Sequence, residues 1–298
     1  MKIGIDLGGT KTEIAAFDAR GNELLRRREP TPAGDYAATL ALISTLVADT
    51  ERQLGTTTTI GIGTPGALSP TTGLMRNSNS TCLNQQPFKI DVQRVLGREV
   101  RLANDANCFA LSEATDGAAA GAASVFGVIL GTGVGGGIVI NGRVIDGPNA
   151  IAGEWGHNPL PWPEDDERPG APCYCGKHGC IETFLSGPGL ARDYARHTGE
   201  SISAKAIVSR SAGEASGALA LQRYENRLAR ALAGVINVLD PEVIVLGGGL
   251  SNIERLYQNI PALWGKWVFS DSVRTRLVRN THGDSSGVRG AAWLWADG

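Results

Sequence analysis

Three times in this chain a short apolar run stops in a cluster of glycines. Ile3-Gly4-Ile5-Asp6-Leu7 runs into Gly8-Gly9, residues 124–130 run into Gly131-Thr132-Gly133, and Val243-Ile244-Val245-Leu246 runs into Gly247-Gly248-Gly249. A short apolar run bounded by turn signals reads as a buried strand, and the run at 243–246 is as apolar as a strand of a parallel sheet. Glycines at such ends let the backbone turn sharply and approach a neighbour or a ligand closely. The pattern restricts the chain to an α/β layout. Because a fresh strand set with its own glycine turn opens near residue 124, it reads as a duplicated α/β unit, with a boundary in the small-residue run 117–121.

The elements between these points follow. Strands are expected over 2–7, 12–18 and 22–28, with Gly21-Asn22 as a turn, and a helix over 36–54 with Asp35 as its N-cap. A strand at 60–63 is stopped by Pro65-Gly66, and residues 67–99 are mostly loop and a short helix. A strand at 100–103 leads through Asn104-Asp105 into a helix near 106–119, with Asp105 as the natural N-cap. Strands at 124–131 and 136–141 follow, then an irregular stretch at 147–182. Helices are expected near 187–197, 203–212, 217–239, 252–267 and 286–296, with a last strand near 273–279. Asp240-Pro241 ends the longest helix.

A net charge of −2 over 298 residues gives no electrostatic footprint for nucleic acid or an anionic membrane. No apolar run approaches a membrane span, and Met1-Lys2 leads straight into the first strand without a signal-peptide core, so a cytoplasmic setting is expected. The basic run Arg26-Arg27-Arg28 reads as the wet end of a strand.

Chemistry gathers at five places. Asp6-Leu7-Gly8-Gly9-Thr10-Lys11 can turn N–H groups toward an anion, with Thr10 adding a hydroxyl and Lys11 a charge. Asp6 stands where it can hold Mg²⁺ through water. It lacks the spacing of a P-loop or a dinucleotide fingerprint, and a plain tight turn is the competing reading. Gly131-Thr132-Gly133 repeats the strand–glycine–strand logic, so two such hairpins are expected to clamp a triphosphate; Gly247-Gly248-Gly249 suits a base or ribose. Asp105 is either an N-cap alone or a general base for a hydroxyl attacking a phosphate. Finally, His157, Cys173, Cys175 and Cys180 are one imidazole and three thiols, a closed tetrahedral set for Zn²⁺, with His178 as a competing donor. Four protein ligands leave no open position, so the zinc is read as structural. Glu154 and Glu182 flank it and suit the paired hydroxyls of a sugar. Cys82 and Cys108, far from the cluster, read as small buried hydrophobes.

Together, 6–11, Asn104-Asp105-Ala106-Asn107, Gly131-Thr132-Gly133, Glu154-Trp155-Gly156-His157 and Cys173-x-Cys175-Gly-x-x-Gly-Cys180-x-Glu182 resemble the ROK family of sugar kinases and repressors, in family order from about residue 2 to 296. Segments 77–81, 154–162 and 282–292 resemble its fructokinase branch. The resemblance implies a two-lobed, actin-like, hexokinase-type ATPase fold of duplicated ribonuclease H-like units. The expected lobes are a small one over 1–118, completed by a C-terminal helix at 284–298, and a large one over 119–283. It implies Asp105 as catalytic base; Gly66, Asn79, Asn104, Asp105, Glu154, His157 and Glu182 around the sugar; and Asp6, Gly8, Gly9, Thr10, Lys11, Gly131–Gly133 and Gly247–Gly249 around ATP·Mg²⁺. It also implies a homodimer. The expected reaction is phosphorylation of the 6-hydroxyl of D-fructose, with mannose, glucose or N-acetylglucosamine as the alternatives. A sugar-sensing repressor requires a DNA-binding segment ahead of the first strand, and a zinc-knuckle interaction module leaves the glycine clusters without purpose. The insert between His157 and Cys173 departs from the family pattern, and its acidic residues 164–167 read as solvated.

Overall fold

The computed structural model describes residues 1–295. Two five-stranded sheets carry the fold, and their strand orders repeat each other. The first is built from β1 (Lys2–Leu7), β2 (Lys11–Phe17), β3 (Glu23–Pro30), β4 (Thr59–Thr64) and β7 (Arg101–Asn104), in the order β3-β2-β1-β4-β7. The second is built from β8 (Ser124–Leu130), β9 (Val134–Ile140), β10 (Arg143–Val144), β11 (Val243–Gly247) and β12 (Arg276–Arg279), in the order β10-β9-β8-β11-β12. In the first sheet the hairpin strands β1, β2 and β3 run antiparallel, and β4 and β7 then join parallel. In the second, β8, β11 and β12 are parallel and β10 is antiparallel to β9. Two short strands, β5 (Ala67–Leu68) and β6 (Met75–Arg76), form a separate ladder inside the stretch expected to be loop. The mixed α/β pattern of two sheets is that of the actin-like, hexokinase-type ATPase fold.

The chain divides into two compact units. One holds Met1–Gly121, Gly137–Ala152 and the segment from Thr281 onward; the other holds Ala122–Gly136 and Gly153–Asn280. In the first unit the period-2 alternation of β1 sorts its residues. Ile3, Ile5 and Leu7 join one core with Ile43, Leu46 and Val47 of α1 (Tyr36–Leu54) and Phe88 and Val92 of α2 (Phe88–Leu96). On the opposite face Gly4 lies under α9 (Ser286–Trp293), where a Cβ would stand 1.8 Å from the Val288 carbonyl. Gly61 of β4 meets the Ala291 carbonyl in the same way, and Gly290 meets the Cys108 carbonyl of α3 (Asp105–Thr115).

In the second unit Val243–Leu246 are fully buried. The helices are α4 (Ile181–Leu185), α5 (Gly187–Thr198), α6 (Ala204–Arg210), α7 (Ala215–Leu239) and α8 (Leu256–Trp264), with α7 touching each of the others. No helix among the described residues is long and apolar enough to cross a membrane.

Several sequence expectations shift. Helix α3 ends at Thr115, short of 119, and α8 starts at Leu256 because Gly249–Asn252 closes a 3₁₀ turn first. Strand β12 begins at Arg276. The N-cap of α3 is Asn104, whose side chain accepts the Ala106 N–H, so Asp105 is the first helical residue instead of the cap. Helix α9 ends at Trp293, Leu294 and Trp295 form a turn where the helix was expected to continue, and 296–298 lie outside the described residues.

Candidate functional site

In the first unit the candidate residues sit where β1, β4 and β7 end, the edge of an α/β sheet that takes ligands. The hairpin after β1 closes with the Gly8 N–H donating to the Lys11 carbonyl at 3.0 Å. It is pinned from outside: the Thr31 N–H donates to the Thr10 carbonyl at 3.0 Å and the Thr31 hydroxyl to the Gly8 carbonyl at 2.8 Å. Gly9, Thr10 and Lys11 are left exposed. Asp6 is half-buried at the end of β1. Burial, then the charges of Asp105 and Glu13, push its carboxyl up to about 6, against the pull of Lys11 and Arg28.

Asn104 and Gly66 come together, the Asn104 amide donating to the Gly66 carbonyl at 3.2 Å. Gly66 takes φ +77°, and a Cβ there would lie 2.3 Å from the Arg76 carbonyl, so only glycine seats this turn against 76–78. Asn79 is exposed on the loop that follows, which Asn84 holds by accepting the Ser78 N–H and donating to the Ser78 carbonyl. Asp105 is exposed at the head of α3, and its own carboxylate accepts the Ala106 N–H at 2.8 Å.

Two features here escaped the sequence reading. Glu13 of β2 is 3% exposed and is gripped by Arg26 at 2.7 Å and by the Arg28 Nε at 2.7 Å. The basic run is therefore not merely solvated. The strand register places Glu13 opposite Arg28, and a glutamate between Thr12 and Ile14 was the available signal. Asp146 accepts from the Asn107 amide at 3.0 Å, two residues on from Asp105.

In the second unit the glycine loops converge. The Gly131 N–H donates to the Gly133 carbonyl at 3.0 Å, and Gly248, at φ +78°, lies so near the Leu130 carbonyl that a Cβ would come within 2.5 Å. Glu182 stands beside the first of these loops, accepting the Val134 N–H at 2.9 Å, and a Cβ on Gly133 would meet its carboxylate. Trp155 anchors the following strand by donating to the Gly135 carbonyl at 3.0 Å. Glu154 is exposed at the start of the 3₁₀ turn that carries His157.

The ligand atoms of His157, Cys173, Cys175 and Cys180 all lie within 4.8 Å of one another. His157 Nδ1 is 3.6 Å from Cys173 Sγ, and Cys175 Sγ is 3.6 Å from Cys180 Sγ. Tetrahedral zinc with bonds of about 2.0–2.3 Å separates its ligand atoms by roughly 3.5–3.8 Å, so the four residues fit it. His178 is exposed and stands outside the set. Burial pushes the Cys180 thiol up to about 12, and a cation held by these four residues would displace its proton. All five cysteines are free thiols, Cys108 buried and Cys82 half-buried. His157 Nε2 lies 2.9 Å from the Tyr174 hydroxyl, and with Nδ1 on a metal it is Nε2 that would carry the imidazole proton.

The acidic run of the insert is not uniformly solvated either. Glu167 is 5% exposed. Its burial penalty is outweighed by hydrogen bonds from Arg230, Arg227 and the Glu164 N–H, which hold its carboxyl down at about 2.

The chain belongs to the ROK family, whose model matches residues 2–298. It is 41% identical over 299 residues to an N-acetyl-D-glucosamine kinase of Pectobacterium atrosepticum, covering 99% of this chain and 98% of that one. The ROK hexokinase of Thermus thermophilus superposes with a TM-score of 0.87 at 30% identity, over 98% of this chain and 97% of that one. A ROK glucokinase of Streptomyces griseus, solved with glucose and AMPPNP, gives 0.78 at 27% identity over 100% and 99%. The resemblance to the fructokinase branch drawn from segments 77–81, 154–162 and 282–292 finds no support among these relatives.

Proposed function

We propose that the protein is an ATP-dependent sugar kinase acting on the 6-hydroxyl of N-acetyl-D-glucosamine. The observation that carries the acceptor is the 41% identity to the Pectobacterium N-acetyl-D-glucosamine kinase over 99% of the chain. The site residues are compatible with the chemistry. Asp105, exposed at the head of α3, takes the proton of the 6-hydroxyl as its oxygen attacks the γ-phosphorus of ATP and the bond to ADP breaks. Asn104, tied to Gly66, fixes the strand end that presents this carboxylate and lines the sugar together with Asn79. Glu154, His157 and Glu182 face the remaining sugar hydroxyls. Backbone N–H groups of Gly8–Thr10 and Gly131–Gly133, with Lys11, take the phosphates, and Gly247–Gly249 the nucleoside.

Asp6 is the residue to hold Mg²⁺ through water; when bound, this ion neutralises charge on the phosphates. His157, Cys173, Cys175 and Cys180 would hold Zn²⁺, which supplies a rigid frame for the acceptor residues.

A second reading is the same transfer to D-fructose. It is favoured by Glu154-Trp155-Gly156-His157-Asn158-Pro159-Leu160-Pro161-Trp162, the segment similar to the fructokinase branch. Coupled ADP release across N-acetylglucosamine, fructose, mannose and glucose separates the two. The expected result is the highest kcat/KM for N-acetylglucosamine, by at least tenfold. The highest value for fructose would move the assignment to the second reading, and ADP release with none of the four would overturn both.

A further inference from the structure

We propose that Glu167 is a positioning residue for the acceptor site: clamped between Arg227 and Arg230, it holds residues 158–172 as a strap against the segment that carries Cys180 and Glu182. The proposal rests on the reading of that segment as part of the acceptor wall. Glu167 Oε1 accepts from Arg227 Nε and Arg230 Nη2, each at 2.7 Å, and Oε2 accepts from Arg230 Nη1 at 2.8 Å. Both arginines belong to α7, and their side chains are 4% and 2% exposed. Arg230 Nη1 also donates to the Trp162 carbonyl at 2.6 Å, and Arg227 Nη1 to Asp193 at 2.7 Å. The Glu164 N–H donates to Glu167 Oε2 at 2.8 Å, so the carboxylate ties Glu164, and Arg230 ties Trp162, to the same helix.

The strap's two ends enclose the metal loop. On one side the Leu160 N–H donates to the Gly179 carbonyl at 2.9 Å and the Ile181 N–H to the Asn158 carbonyl at 2.8 Å. On the other the Gly179 N–H donates to the Ala171 carbonyl at 3.0 Å, and Gly170 lies so close that a Cβ would come within 2.4 Å of Gly179 Cα. Residues 178–180 are thus the middle of a small ladder of two isolated antiparallel bridges, Cys180 to Pro159 and His178 to Pro172, with the strap on both sides. Cys180 is a candidate metal ligand, and Glu182 two residues on fastens Val134. A buried charge pair adds little net stability against apolar packing, but removing one partner leaves the other uncompensated. A geometric role accounts for why three charges are buried here.

The test is Glu167→Gln on the zinc-loaded protein. Zinc transfer to the chromogenic chelator 4-(2-pyridylazo)resorcinol is expected to speed up about tenfold, and the acceptor KM to rise about tenfold, with the ATP KM within twofold of wild type. Release and acceptor KM both within twofold of wild type would overturn the proposal, as would equal rises in both KM values, the mark of a general loss of structure. Hydrogen exchange on the wild-type chain tests it without a variant. Stripping zinc should speed exchange at Leu160 and Glu164 together with Gly179, because coupling through the ladder is reciprocal; faster exchange confined to 173–180 would overturn it. If wild type phosphorylated no hexose, the proposed function would fall, while zinc release and exchange would still decide the role of the strap.

Discussion

At the scale of single residues, Asp6 and Asp105 are assigned different tasks in the proposed reaction and lie in different surroundings. Asp105 is exposed at a helix head and must be ionised to accept a proton. Asp105→Asn should lower kcat by about a thousandfold and leave the sugar KM within about threefold; a rate within tenfold of wild type would exclude it as the base. Asp6 has its carboxyl raised to about 6 by burial first and by Asp105 and Glu13 next. Its folded value lies above the unfolded one of about 3.9, so the folded state binds the extra proton between pH 4 and 6. That contribution favours folding below pH 4 and is lost as pH rises through 6. Asp6→Asn should therefore melt higher than wild type at pH 7.5 and show little difference at pH 4, while losing activity and requiring more Mg²⁺. A lower melting temperature at pH 7.5 would contradict this. The placement of Asp6 was legible from a carboxylate after an apolar run. The Glu13–Arg26–Arg28 group was not, because its partners meet through the β2–β3 register, and a residue read along its own strand shows only its neighbours in sequence.

Elements tell a similar story with local chemistry on one side and packing on the other. Asp35 caps α1 by accepting the Ala38 N–H at 2.9 Å, as Asp ahead of a periodic apolar run predicts. The first turn of α3 was misjudged by one residue because Asn104 and Asp105 are both good caps, and only the backbone shows that Asn104 is still extended. What fixes α9 is invisible locally: it depends on Gly4 of β1 and Gly61 of β4 lacking a side chain, and on its own Gly290 fitting against α3. Gly290 would place a Cβ 1.7 Å from the Cys108 carbonyl of α3, and Gly61 1.8 Å from the Ala291 carbonyl. Neither contact can relax by a rotamer change, since both partners are backbone. Gly290→Ala should cost roughly 3 kcal/mol or more, by the measure of core overpacking. For a chain this long that is about a 5 °C fall in Tm. Gly265→Ala is the control: its φ is −56° and nothing lies within 4 Å of its Cβ position, so its Tm should stay within about 1 °C or rise slightly. Equal effects at the two sites would mean that close packing of α9 does not limit stability.

For the whole molecule, the duplicated layout was readable because the strand–glycine pattern recurs in order, and the two sheets repeat one strand order. The linkage between the metal loop and the rest of its unit was not, because Glu167 finds its arginines 60 and 63 residues away. That linkage changes what metal removal should do. If His157, Cys173, Cys175 and Cys180 held only a loop, loss of the ion would weaken the acceptor and leave the nucleotide untouched. Glu182, however, lies two residues beyond Cys180 and its carboxylate holds the Val134 N–H at the edge of the Gly131–Gly133 loop. Disorder in the metal loop is therefore transmitted through one hydrogen bond to the loop assigned to phosphates. A single neutral-to-charged hydrogen bond is worth about 1.5–3 kcal/mol, and its partial loss corresponds to a few-fold change in affinity. Removal of zinc with a chelator should then weaken acceptor binding by at least tenfold and ATP binding by about two- to fivefold, both measured by calorimetry on the same sample. Glu182→Gln, which keeps an acceptor for Val134 but loses the charge, should reproduce the smaller ATP effect with the metal still bound. Unchanged ATP affinity in both experiments would show that the metal loop and the glycine loop are independent, and unchanged acceptor affinity in the zinc-free protein would remove the metal from the acceptor site altogether.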